Sequence, residues 1–272
     1  MRIPFLKSRQ PKPATVEEED PIDDKPMPLL DHLIELRRRL MWSIGAFMIA
    51  FFVCYFFSGQ IYAFLAAPLA HVEERMGGSQ RMIYTGLTEG FFTYLKVAMF
   101  GALFIAFPIM ANQLWLFVAP GLYRSEKRAL LPFLIASPVL FLMGAALAYF
   151  VIFPAAWTFF LHFQTPKGAG GLPIVLEARV SEYLDLVMKL VFAFGVAFQL
   201  PVALSLLAKV GIVTSKGLAK YRRYAIVGMF IVAAILAPPD IFTQCGLAIP
   251  LIGLYELSIF AARMMEPKPV EV

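Results

Sequence analysis

The stretch LLDHLIELRRRL, from Leu29 to Leu40, stands directly before the first long apolar run of the chain. Three arginines beside a membrane segment are ordinary. Glu35 among them is less so. At about 100° per residue with Leu29 at zero, Leu33, Leu36 and Leu40 fall within about 40° of the origin, and Leu30, Met41 and Ile34 at about 100–140°. Asp31, Glu35, Arg38 and Arg39 lie at about 180–280°, His32 at about 300°. The pattern predicts an amphipathic helix at a membrane surface, with Glu35 on its wet polar face. Arg37 lands at about 80°, inside the apolar arc. An unpaired buried charge is costly, so the reading for Arg37 is a clamp onto carbonyls or a carboxylate of neighbouring loops. The alternative is a guanidinium extended to the interface. For Glu35, an i,i+4 pair with Arg39, worth about 0.2–0.5 kcal/mol, stands beside a carboxylate offered to a cationic ligand.

Composition sets the class. Of 272 residues 60% are hydrophobic and 16% charged, against about 45–50% and about 25% in soluble domains. The excess falls in blocks of about twenty residues, the mark of a helical membrane protein. Cys54 and Cys245 lie in apolar runs and read as small buried hydrophobes. His32, His71 and His162 are scattered, without metal spacing, and Gly168–Gly171 lack the strand and helix of a phosphate loop. Neither a cofactor, a metal nor nucleic acid is implied.

Residues 1–28 carry the clusters Glu17–Asp20 and Asp23–Asp24 and six prolines, and are expected to form a disordered tail. No apolar stretch near Met1 suggests a cleaved signal peptide. Residues 29–264 are expected to form one transmembrane domain, followed by a short tail, 265–272. Six segments are predicted: Leu36–Phe57, Phe91–Val118, Leu130–Phe160, Tyr183–Lys209, Tyr224–Ala237 and Ile241–Ala262. Of the 24 Lys and Arg residues, 18 fall on the side holding both termini, which is then the cytoplasmic side. The fifth segment is short, about 21 Å at the helical rise of about 1.5 Å per residue, and must thin the bilayer. Pro108, Pro138 and Pro201 are expected to kink the longer helices. The expected fold is an all-α membrane protein of six transmembrane helices: long kinked helices with a short fifth–sixth hairpin, forming a concave body.

Ionisable residues at membrane depth are functional suspects. Glu89 and Lys96 share one face of the second segment and favour a structural role. Asp240 is placed to cap the sixth segment, and Glu256 calls for an internal partner. Glu126, the only acid between the second and third segments, follows a capping Ser125 and suits a helix first turn.

With HLIELRRRL (32–40), APL (67–69), TEGFFTYLK (88–96), WLFVAPGLYRSEKR (115–128), AYFVIFP (148–154), FGVAFQLPV (194–202) and APPDIFTQ (237–244) in this order, the chain resembles the TatC family of twin-arginine protein translocases. The resemblance covers about Met27 to Met264. It implies a core receptor subunit in a bacterial cytoplasmic membrane that binds signal peptides bearing two consecutive arginines. Such a subunit assembles in a multimeric complex with the single-span partners TatB and TatA. Together they export folded proteins on the proton-motive force rather than by catalysis. By resemblance, Glu35 and Glu126 recognise the arginine pair, and Arg37, Phe117, Pro68 and Asp240 match sensitive positions. Phe117, near the cytoplasmic end of its segment, either lines the entry of a groove for the peptide's apolar stretch or is an interfacial aromatic anchor. Gln199 stands where family members often carry a glutamate tied to a partner-helix contact; it cannot ionise. A secondary ion or solute transporter is the alternative of a different class. It would place polar groups at the bilayer midplane within repeated broken helices, whereas the charges here lie mostly at helix ends. An intramembrane enzyme would need a paired nucleophile and base within the spans.

Overall fold

The computed structural model describes residues 29–75, 81–118, 131–164, 176–209, 211–236 and 240–265. The two expected tails, 1–28 and 265–272, lie outside them except for Met265. The described residues form ten α-helices: α1 (Leu29–Phe56), α2 (Ser58–Arg75), α3 (Glu89–Val118), α4 (Leu131–Leu147), α5 (Phe153–Leu161), α6 (Val180–Ala197), α7 (Leu200–Lys209), α8 (Ser215–Lys220), α9 (Arg222–Leu236) and α10 (Ile241–Met265). No strand occurs among them, only an isolated bridge between Ile83 and Arg179.

Among the described residues, five stretches are long and apolar enough to cross a membrane: His32–Phe56, Glu89–Phe117, Pro132–Leu161, Val180–Lys209 and Thr243–Met265. The expected fifth segment is α9, whose 15 residues reach about 22 Å at about 1.5 Å per residue. It falls short of the length a perpendicular crossing needs. Lys189 of α6 donates from Nζ to the Ile235 carbonyl at 3.0 Å, placing a cation on the exposed carbonyl end of this short helix.

Proline governs where the long segments break. The third predicted segment is α4 and α5 joined by a π-helical turn, Ala148–Ile152. Phe153 opens α5, and Pro154 follows it at the start of the helix. Pro154 has no N–H to give to the preceding turn, and the turn widens there. The fourth segment breaks at Phe198–Gln199, just ahead of Pro201, dividing α6 from α7. Pro108 and Pro138 lie inside helices that continue through them.

The helix α2 has no counterpart among the predicted segments. Its buried face is Leu65, Ala66, Pro68, Leu69, Val72 and Glu73, and it covers one end of the bundle, called here the capped end. The end where α1 begins is the basic end. The buried face of α2 joins the main core, which also draws on α4, α5, α6 and α10 and in which Phe153, Phe194, Leu184, Leu190 and Leu247 are fully buried. The α4 and α6 backbones meet closely there. A Cβ on Gly144 would lie 2.4 Å from the Phe194 carbonyl oxygen, a contact only glycine permits.

Candidate functional site

At the basic end, the start of α1 lies against the end of α3. Arg39 donates from Nε to Glu35 Oε1 at 2.9 Å, and its Nη2 bonds the same oxygen. Its Nη1 reaches Gln113 Oε1 on α3 at 3.4 Å. Toward the start of α1, His32 stacks on Phe117 with ring centroids 4.4 Å apart. Glu35 thus pairs with Arg39 as the i,i+4 spacing allows. Its other oxygen, Oε2, accepts from no group among the described residues.

The arc expected to pack is the one that faces outward. Leu30, Leu33, Ile34, Leu36, Leu40 and Met41 are exposed, while His32, Glu35 and Arg39 turn toward α3 and are partly buried. Glu35 is therefore not on a wet outer face: 22% of its side chain is exposed. The physical reason is the solvent. At a membrane boundary the outward arc of an amphipathic helix meets headgroups and acyl chains and is apolar, while His32, Glu35 and Arg39 gain by meeting groups of α3 inside. Arg37, within that outward arc, is exposed and has no polar partner among the described residues. Of the neighbouring loops expected to receive its clamp, residues 211–221 give it no partner, and residues 119–130 lie outside the described residues. Ser125 and Glu126 lie there too.

The remaining predicted positions have clear surroundings. Pro68 is buried inside α2, where its missing N–H leaves the Phe64 carbonyl, four residues back, without its helical donor. Tyr149 of the π-helical turn supplies one, its hydroxyl donating to the Phe64 carbonyl oxygen at 2.7 Å with its ring stacked on Phe64 at 4.4 Å. Asp240 accepts from the Thr243 backbone N–H at 2.7 Å and from the Thr243 hydroxyl, the capping role expected of it. Gln199, at the α6–α7 break, accepts from the Ser137 hydroxyl at 2.6 Å and donates to the Ser137 carbonyl at 2.9 Å. Trp115 Nε1 donates to the same hydroxyl at 3.2 Å, so α3, α4 and the α6–α7 break share one intramembrane polar cluster. Glu256 pairs with Arg222 at 2.6 Å, the internal partner its position calls for.

Glu89 and Lys96 act at the capped end. Glu89 accepts from the Thr85 and Gly86 N–H groups at 3.0 and 3.1 Å and from the Ser181 hydroxyl at 2.6 Å. It also accepts from the Ser181 N–H at 3.3 Å and from Arg179 at 3.5 Å. Lys96 pairs with Asp185 at 2.8 Å. Helical spacing puts Glu89 and Lys96 on one face; their partners on and beside α6, about ninety residues away, carry no local signal.

A family model described as Sec-independent protein translocase protein (TatC) matches residues 31–250. The protein of that name from Magnetococcus marinus is 52% identical over 246 residues, 90% of this chain and 87% of that one. Its counterpart in Rickettsia prowazekii is 48% identical over 244 residues, covering 89% and 95%. A solved structure described as the twin arginine translocase receptor TatC superposes with a TM-score of 0.73 at 39% identity, covering 86% of this chain and 99% of that one.

Proposed function

The chain belongs to the TatC family of Sec-independent protein translocase proteins, and on that premise we propose that it is the signal-peptide receptor of a twin-arginine translocase. It is a multi-pass membrane protein and a transport subunit rather than an enzyme. In this reading both termini face the cytoplasm, α9 makes a short fifth crossing, and the six crossings form a concave body. Single-span TatA and TatB join it, Gln199 lies at a partner-helix contact, and the proton-motive force drives export. Asp240 holds the framework through its bonds from Thr243, and Pro68 by leaving the Phe64 carbonyl to the Tyr149 hydroxyl.

The observation that carries the reading is Glu35, a partly buried carboxylate with one oxygen uncommitted among the described residues. A guanidinium matches a carboxylate in forked, charge-assisted geometry. A signal-peptide arginine binds Glu35 at Oε2, and Arg39, which also has Gln113 as acceptor, stays anchored when it yields part of Oε1. Glu126 takes the second arginine, and Phe117, fixed by its stack on His32, borders the site. Lysine keeps the charge and loses the fork, so a lysine–lysine peptide binds less well. The test is the affinity of the purified protein for arginine–arginine and lysine–lysine signal peptides, with Glu126→Gln beside the unaltered chain. Loss of the arginine preference supports the two-acid site; an unchanged preference removes Glu126 from it.

A further inference from the structure

Helix α1 lies largely outside the bundle: only 11% of its apolar stretch is buried, and its main neighbours are α3 and α2. A groove of about 910 Å³ runs along its contact with α3. Arg37 and Arg38 stand at its basic end, and Trp42, Gly45, Ile49 and Ile109 are among the residues lining the rest. We propose that this groove binds an anionic diacyl phospholipid, its phosphate held by Arg37 and Arg38 and an acyl chain lying along Trp42, Gly45 and Ile49.

Charge complementarity selects this occupant. Arg39 is engaged by Glu35 and Gln113, whereas Arg37 and Arg38 are exposed and have no acidic partner among the described residues. Leu40–Phe56 contains no Asp, Glu, Lys or Arg and spans about 25 Å at about 1.5 Å per residue. The two arginines therefore stand where the hydrocarbon ends and phosphates begin. Trp42, one turn deeper and 64% exposed, suits the same interface. Guanidinium forks match phosphate oxygens, and basic pockets between transmembrane helices are suited to anionic headgroups. Beyond the arginines the lining is apolar, and a Cβ on Gly45 would meet nothing within 4 Å. A partner helix would fill the groove yet leave both guanidiniums unpaired unless it carried an acid at that level. The site uses residues of α1 other than Glu35 and does not depend on the receptor reading.

The test uses the full chain in nanodiscs of phosphatidylcholine with a minor fraction of phosphatidylglycerol, reading retained lipid by native mass spectrometry. The unaltered protein should retain phosphatidylglycerol selectively, and Arg37→Gln with Arg38→Gln should reduce that selectivity about 10- to 30-fold. Gly45→Leu, whose side chain enters open space, should lower retention with both arginines intact. An unchanged selectivity in the double variant overturns the proposal. So does displacement of the lipid by inorganic phosphate, which would indicate a free-anion site. Efficient crosslinking of Gly45→Cys to another protein, undiminished by phosphatidylglycerol, would assign the groove to a helix instead.

Discussion

Glu89 and Glu35 are acids near opposite ends of the same bundle, and their surroundings differ. Glu89 takes hydrogen bonds on both oxygens from Thr85, Gly86, Arg179 and Ser181, and 8% of its side chain is exposed. Glu35 holds one arginine four residues away through one oxygen and is 22% exposed. A carboxylate saturated by its own chain is a fastener. One left half-saturated beside cations can exchange partners. The capped end is accordingly the framework, and the basic end the part able to receive a ligand.

The comparison breaks most severely if the framework tolerates disruption. Gly144→Ala places a methyl against the Phe194 carbonyl and should cost about 2–3 kcal/mol, in the range of overpacked cores, read as a lower melting temperature in detergent. Glu89→Gln removes the charge that its donors face and should cost about 1–3 kcal/mol by the same measurement. Tyr149→Phe leaves the Phe64 carbonyl without its donor and should cost about 1–2 kcal/mol. Adding Pro68→Ala restores a helical N–H, so the double variant should regain part of that loss. Purely additive losses would contradict the role given to the proline.

The smallest effect concerns Glu73, buried on α2, where burial pushes its carboxyl above the ordinary range. The folded protein then holds this proton more tightly than the unfolded chain. Its contribution to stability is present below the unfolded pKa and is lost as pH rises through the raised folded one. Glu73→Gln should flatten that slope in denaturation curves collected from acid to neutral pH; an unaltered slope would contradict the assignment.

Much of this architecture is legible in the sequence because long apolar blocks and capping residues are local signals. Asp240 capping α10, the shortness of α9 and the break near Pro201 follow from residues within a few positions of the feature. Helix α2 escapes such a reading because Ser58-Gly59-Gln60 and Pro68 resemble a loop, although Ile61, Leu65, Leu69 and Val72 keep helical spacing. The polarity of α1 is inverted for a deeper reason. An apolar arc packs inward in water and faces outward in lipid, and the residue angles are the same in both. Arg37 is misplaced only under the first assumption. The contacts of Glu89 with Ser181 and of Gln199 with Ser137 depend on tertiary approach, which periodicity does not encode.

The most direct measurement is the ratio of affinities for arginine–arginine and lysine–lysine signal peptides, taken with melting temperature for Glu35→Gln and Glu89→Gln. The account predicts that Glu35→Gln abolishes the arginine preference at a stability cost below about 0.5 kcal/mol. It predicts that Glu89→Gln lowers stability and leaves the preference intact. A preserved preference in Glu35→Gln, or its loss in a folded Glu89→Gln protein, would contradict the division between the two ends.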